Sequence, residues 1–289
     1  MPARYRTVEA AGLEFGLFEQ GSGPLALCLH GFPDTAHTWR HLLPALADAG
    51  FHAVAPFLRG YAPSALPADG AYQTGALVAD ACALHDVLGG GDDAVVVGHD
   101  WGAFAAYGAA ANASQRWRRV VTLAVPPPPT VMAMFADYAQ LKRSFYIFLF
   151  QTDLAEGLVG GDGMPFLDGL WRDWSPGYDP SEDLAHVKES LRAPENLSAA
   201  IGYYRAMLDP SRHLPRYADE QAATGQPPPQ PTLYLHGRDD GCLGADLVAG
   251  SERDLSASSR AEVIDGVGHF LHLERPDEIN AKIIDWVNS

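Results

Sequence analysis

The sequence has little of what would tie it to nucleic acid, a membrane or a disulfide scaffold. Only 20 of its 289 residues are Lys or Arg, against 36 Asp or Glu, a formal net charge of −16. Nucleic acid and anionic lipid surfaces both need a basic face, so neither is an expected partner. No run approaches the ~18 uninterrupted apolar residues of a membrane span. The first twenty residues, MPARYRTVEAAGLEFGLFEQ, contain no continuous apolar core and do not read as a secretory signal. Three cysteines, Cys28, Cys82 and Cys242, are too few and too scattered for a disulfide framework, and no CxxC or Cys/His cluster suggests zinc. A reducing cytoplasm is the expected location.

Apolar residues, by contrast, make up 47% of the chain and charged ones 19%, enough for one large domain or one domain with an insertion. Proline marks the boundaries. Pro126–Pro129, and Pro227–Pro229 with Pro231, read as stiff connectors, because a proline run cannot continue a helix or a central strand. Before the first cluster, strand and helix signals alternate. Val8–Glu9 and Leu13–Glu19 form a hairpin pattern. Leu25–His30, His52–Leu58, Ala94–His99 and Arg119–Val125 are apolar strand runs, and Thr38–Gly50, Gln73–Leu88 and Trp101–Asn112 have helical spacing. After the second cluster come a strand (Thr232–Gly237), a short helix, another strand (Ala261–Asp265) and a last helix from about Pro276 to Asn288. Continuous apolar strands alternating with helices imply a mostly parallel sheet covered on both faces. The middle stretch is rich in aromatics (Phe145, Tyr146, Phe148, Phe150, Trp171, Trp174, Tyr203, Tyr204) and reads as helices and loops. Such an insertion suggests a lid over the carboxyl ends of the strands, where open α/β sheets bind ligands.

Four loops at strand ends carry the chemistry. Gly98-His99-Asp100-Trp101-Gly102 follows an apolar strand and opens an alanine-rich helix, the pattern of a turn that presents a nucleophile, with aspartate where serine is usual. The following helix N-terminus favours the ionised carboxylate, so Asp100 needs no base to become a nucleophile. His30-Gly31-Phe32-Pro33 is the loop that would supply one oxyanion-hole amide, from Phe32, with Trp101 supplying the other. Gly237-Arg238-Asp239-Asp240 offers a carboxylate to orient a histidine, at Asp240 or Asp239. Gly266-Val267-Gly268-His269-Phe270 places His269 on a glycine-flanked loop before the last helix, with His272 as the alternative base. His30, His99 and His236 end strands and read as structural. The chain order of Asp100, Asp240 and His269 is nucleophile, acid, base.

Taken together, these motifs resemble the epoxide hydrolases of the α/β-hydrolase fold, close in pattern to haloalkane dehalogenases. The resemblance spans His30–Arg40 (HGFPDTAHTWR), Leu58–Ser64 (LRGYAPS), Val97–Ala103 (VGHDWGA), His236–Cys242 (HGRDDGC) and Gly266–Pro276 (GVGHFLHLERP). It implies an α/β-hydrolase fold: a mostly parallel central sheet flanked by helices, residues 1–129 and 227–289 forming the core domain and 130–226 a helical cap between its halves. It favours Asp240 over Asp239. It also implies two cap tyrosines that hold the epoxide oxygen: Tyr146, with Gln151 five residues on, and Tyr204, in a Tyr-Arg pair after Tyr203. Phe32, Trp101 and Phe270 would border the substrate.

The implied reaction opens an apolar epoxide through an ester on Asp100, which water activated by His269 and Asp240 then hydrolyses. It needs no metal or organic cofactor. The partners would be the epoxide and water; a homodimer stays open. One loop departs from the family: Phe57 stands where aspartate is common and Ala62 where glycine is usual, which predicts altered local packing with the chemistry kept. The competing reading is a haloalkane dehalogenase with the same nucleophile. A fluoroacetate-type dehalogenase would want a cation after Asp100, an esterase would want serine at position 100, and a binding protein on this scaffold would usually have lost a triad member.

Overall fold

A computed structural model describes residues 3–289; residues 1 and 2 of the expected core region lie outside that range. Eight strands form one sheet: β1 (Arg4–Ala10), β2 (Leu13–Gly21), β3 (Leu25–Leu29), β4 (His52–Pro56), β5 (Ala94–His99), β6 (Trp117–Leu123), β7 (Thr232–Gly237) and β8 (Arg260–Ile264). Their spatial order is β1-β2-β4-β3-β5-β6-β7-β8. The β1–β2 hairpin and the β2–β4 pair are antiparallel, and every pairing from β4 onward is parallel. The central strands β3, β5 and β7 are buried along their whole length, which is why they are continuous in apolar residues where β1 alternates.

Four helices cover the sheet. α1 (Leu42–Asp48) packs on β2 and β4 and meets the last helix, α13 (Pro276–Asn288), which reaches β6. α2 (Thr74–Val87) and α3 (Trp101–Asn112) pack together and reach β1, β3, β5 and β6. In α3, Ala103, Ala105, Ala106, Ala109 and Ala110 are fully buried, so the helix lies close to the strands. Between β6 and β7 the described chain is helical: α4 (Pro128–Met134), α5 (Tyr138–Arg143), α6 (Phe145–Leu149), α7 (Ala155–Val159), α8 (Pro165–Trp174), α9 (Ser181–Ser190), α10 (Pro194–Leu208) and α11 (Ala218–Ala223). The last of these packs against α2 and α3. A four-residue helix, α12 (Leu271–Glu274), precedes α13.

Three local expectations are corrected. The first proline cluster is only half connector: α4 starts at Pro128, because a proline at the first helical position loses no intrahelical hydrogen bond. Thr38–Gly50 is not one helix but a 3₁₀ turn, Ala36–Arg40, followed by α1 from Leu42. Pro44 is tolerated there because it falls in the first turn, where amides have no helical acceptor. The short helix expected after β7 is a pair of 3₁₀ turns, Ala245–Leu247 and Ser251–Asp254.

The inserted helices are tied to the strand-end loops by specific bonds. Trp171 Nε1 donates to the Pro33 carbonyl at 2.9 Å, and the Tyr203 hydroxyl to the Arg59 carbonyl at 2.8 Å. The Trp174 carbonyl accepts from the amides of Gly241 (3.2 Å) and His269 (2.9 Å). Of the eight aromatics noted in this stretch, six are buried; Phe145 and Phe148 are half exposed.

Candidate active site

Asp100 sits on the turn between β5 and α3 with φ 53° and ψ −119°, a conformation that costs a non-glycine residue roughly 1–3 kcal/mol. The neighbouring chain enforces it. A Cβ at Gly98 would come within 2.1 Å of the Gly102 carbonyl oxygen, and one at Gly102 within 2.0 Å of the Leu29 carbonyl oxygen. Strand and helix therefore approach only with glycine at both positions, and the approach holds the Asp100 carboxylate up at the strand ends.

Its two oxygens have different partners. The Phe32 amide donates to Oδ1 at 2.7 Å, and His269 Nε2 faces Oδ2 at 3.7 Å. Trp101, as first residue of α3, has an amide with no helical acceptor, on the turn that carries Asp100. On the far side of the imidazole, His269 Nδ1 bonds Asp240 Oδ2 at 3.0 Å. The other Asp240 oxygen accepts from the amides of Cys242 (2.7 Å) and Leu243 (2.9 Å), which fixes the carboxylate. Asp239 is exposed, and His272 turns away to Thr38 Oγ1 at 2.6 Å. Both alternatives are thereby separated from the Asp100–His269–Asp240 line.

The electrostatics follow from burial in this line. Burial by itself disfavours the His269 cation, but Asp240 and Asp100 outweigh it, and the imidazole is pushed up to about 10. Burial likewise disfavours the two carboxylates, yet the His269 charge and the donated hydrogen bonds hold both Asp100 and Asp240 below the usual range. Asp100 is thus an ionised carboxylate at neutral pH. The other strand-end histidines are structural, as expected. His30 Nε2 accepts from the Leu58 amide at 3.0 Å, His236 bonds Tyr234 and the Leu243 carbonyl, and His99 Nε2 donates to the His269 carbonyl at 3.0 Å, steadying the loop that carries the base.

Tyr146 on α6 and Tyr204 on α10 line one small chamber with Asp100 and Trp101, about 30 Å³ in volume. Their rings meet edge to face at 5.5 Å. Gln151 joins the two helices: its amide nitrogen donates to the Ile147 carbonyl at 2.9 Å and the Tyr204 carbonyl at 3.0 Å. The Tyr146 hydroxyl lies 3.5 Å from Cys242 Sγ, while the Tyr204 hydroxyl makes no hydrogen bond of normal geometry. Burial pushes both phenols well above their ordinary value, and the negative charge of Asp100 adds to it.

Two expected substrate contacts do not reach the chamber with their side chains. Phe270 stacks on Trp171 at 3.5 Å, and the Phe32 ring packs against Phe150 and Tyr204, so of the three only Trp101 lines the chamber. Of the remaining wall, Phe104, Val131, Phe135, Met207 and Leu243 were not marked by any motif, and Cys242 only ends one. These residues come from four separate segments, and only Cys242 lies within a quoted one.

The loop that departs from the family is held by a buried ion pair. Arg59 Nε and Nη2 bond the two Asp80 oxygens at 2.6 and 2.5 Å, and the guanidinium also donates to the carbonyls of Ala71 and Ala76. Phe57 packs beside Phe18 and His37.

Comparison with known proteins identifies the family. The alpha/beta hydrolase family profile matches residues 26–282. Epoxide hydrolase A of Mycobacterium tuberculosis is 32% identical, over 98% of this chain and 96% of its own length. An epoxide hydrolase of Caballeronia sordidicola is 27% identical, over 96% and 92%. The crystal structure of epoxide hydrolase A from Mycobacterium thermoresistibile superposes with a TM-score of 0.82 at 28% identity, covering 99% of this chain and 98% of that one. The chain belongs to the α/β-hydrolase family and, within it, to the epoxide hydrolases.

Proposed function

We propose that this enzyme hydrolyses apolar epoxides to vicinal diols through an ester on Asp100. The observation that carries the reading is a single chamber bordered by an ionised carboxylate and two buried phenols, with a histidine–aspartate pair behind the carboxylate. Asp100 would attack one ring carbon; the C–O bond breaks and the ring oxygen takes a proton from Tyr146 or Tyr204. The product of this half-reaction is a hydroxyalkyl ester.

Esterification removes the negative charge of Asp100. One of the two anions that raise the His269 imidazole is then gone, which lowers its hold on the proton; that proton restores the phenol that protonated the ring oxygen, and the neutral imidazole is left to act as the base. Water attacks the carboxyl carbon of Asp100 as His269 takes its proton, and Asp240 steadies the resulting imidazolium. The amides of Phe32 and Trp101 would hold the tetrahedral oxyanion, a contribution of ~2.7–4 kcal/mol for a single donor. Collapse breaks the bond to the substrate oxygen, which takes the remaining proton of the attacking water, so that the diol leaves and the carboxylate is restored. No step requires a metal or an organic cofactor.

Haloalkane dehalogenation shares the nucleophile but needs two halide donors. The Phe32 side chain offers none, and the Trp171 indole is engaged by the Pro33 carbonyl. Diol formation from styrene oxide and aliphatic epoxides, measured beside halide release from haloalkanes, tests the reading. Halide without diol overturns it.

A further inference from the structure

The chamber beside Asp100 has space for about one or two water molecules, so little more than the reacting ring fits. Against it lies a second cavity of about 410 Å³, in the size range of pockets that enclose small ligands. The two share a wall: Trp101, Phe104, Val131, Phe135 and Met207 line both.

The outer cavity has no Asp, Glu, Lys or Arg in its lining. Three of its polar side-chain atoms are already engaged. Gln221 Oε1 accepts from the Gly75 amide, His213 Nε2 bonds the Ala206 carbonyl, and Thr224 Oγ1 donates to the Gln221 carbonyl. Three of its apolar lining residues stand well into solvent: Met132 is 74% exposed, Phe148 47% and Leu208 46%. A cavity with no charged group, few polar ones and an apolar rim suits an uncharged apolar chain better than a charged one. It adjoins the inner chamber through a single wall, which gives the substrate one direction in which to extend.

We propose that the substrate is a terminal epoxide with one long apolar tail, the ring beside Asp100 and the tail in the outer cavity. Phe135 and Met207 shift to join the two spaces; Met207, with an unbranched side chain, is the readier to move. The proposal rests on Asp100 as the nucleophile and adds the shape of what it attacks.

The test compares diol formation from 1,2-epoxybutane, 1,2-epoxyoctane, 1,2-epoxydecane and trans-5,6-epoxydecane. Burial of each added methylene is expected to raise kcat/KM up to about fourfold. The internal isomer, with the same atoms and two shorter arms, is expected to be at least about tenfold poorer than 1,2-epoxydecane. Leu208→Ser and Phe148→Ser, both half exposed and outside the reacting groups, should lower kcat/KM severalfold for 1,2-epoxydecane and leave 1,2-epoxybutane unchanged. A flat chain-length series, an internal isomer as good as the terminal one, or variants that slow both substrates equally would overturn the tail assignment while diol formation upheld the nucleophile. If no substrate gives diol, and His269→Gln traps no ester, the nucleophile reading fails and the tail proposal with it.

Discussion

His269 Nε2 stands 3.7 Å from Asp100 Oδ2, close enough for charge to couple them and too far for a direct hydrogen bond. In the proposed mechanism this spacing separates the two half-reactions. Asp100→Asn is expected to abolish diol formation, by ~10³-fold or more. His269→Gln should still open the ring and then stall. Mass spectrometry of the intact protein would show the added mass of the substrate, and steady turnover by both variants would refute the assigned roles.

Tyr204 gives a test in which stability and activity diverge. Its buried hydroxyl makes no hydrogen bond of normal geometry, so Tyr204→Phe should leave the melting temperature unchanged or slightly raised. The same change should slow ring opening by ~10–10²-fold, and the double variant with Tyr146→Phe by far more. Single-turnover ester formation is the readout. A Tyr204→Phe enzyme that opens epoxides at the full rate would remove that phenol from the mechanism.

The His269 proton makes stability depend on alkaline pH. Its native value of about 10 lies above the ordinary 6.5 of an unfolded histidine, so the contribution is complete below about 6.5 and is lost as pH rises towards 10. Asp100 and Asp240 act on the other side: they lie below the ordinary 3.8, and their contribution is lost as pH falls through the acid range. Thermal unfolding from pH 6.5 to 10 should show a decline that His269→Gln flattens. An equal decline in both proteins would deny the raised native value.

Arg59 and Asp80 form a buried pair away from the reacting groups, each 4% exposed or less. Arg59→Met leaves the Asp80 charge uncompensated and should cost ~3–5 kcal/mol in urea unfolding. Arg59→Met with Asp80→Leu should recover much of that loss. A single variant as stable as the parent would show that the pair carries no net weight.

The main-chain architecture was legible in the sequence because burial on both faces writes itself as apolar runs: β5, AVVVGH, and the later half of β6 are such runs, and α13 begins at Pro276, where a leading proline suggested it. The order of strand-end loops named Asp100, Asp240 and His269, because an α/β sheet brings those loops to one edge. Helix boundaries were less legible around Pro44 and Pro128, where proline in a first turn looks like a breaker and is not one.

Chain order and the resemblance favoured Asp240 over Asp239 and His269 over His272, and the folded loops set the favoured pair in line with Asp100, with Asp239 in solvent and the buried His272 bonded to Thr38. The chamber wall had no such signal. Phe104, Phe135 and Met207 are ordinary apolar residues in sequence, brought together by contacts between α3, the segment after α4 and α10. Local periodicity determines strands and helices, since each residue's neighbours along the chain suffice for it. The shape of the space over Asp100 belongs to the tertiary structure alone, because it depends on distances between segments that lie as far apart in sequence as Asp100 and Leu243.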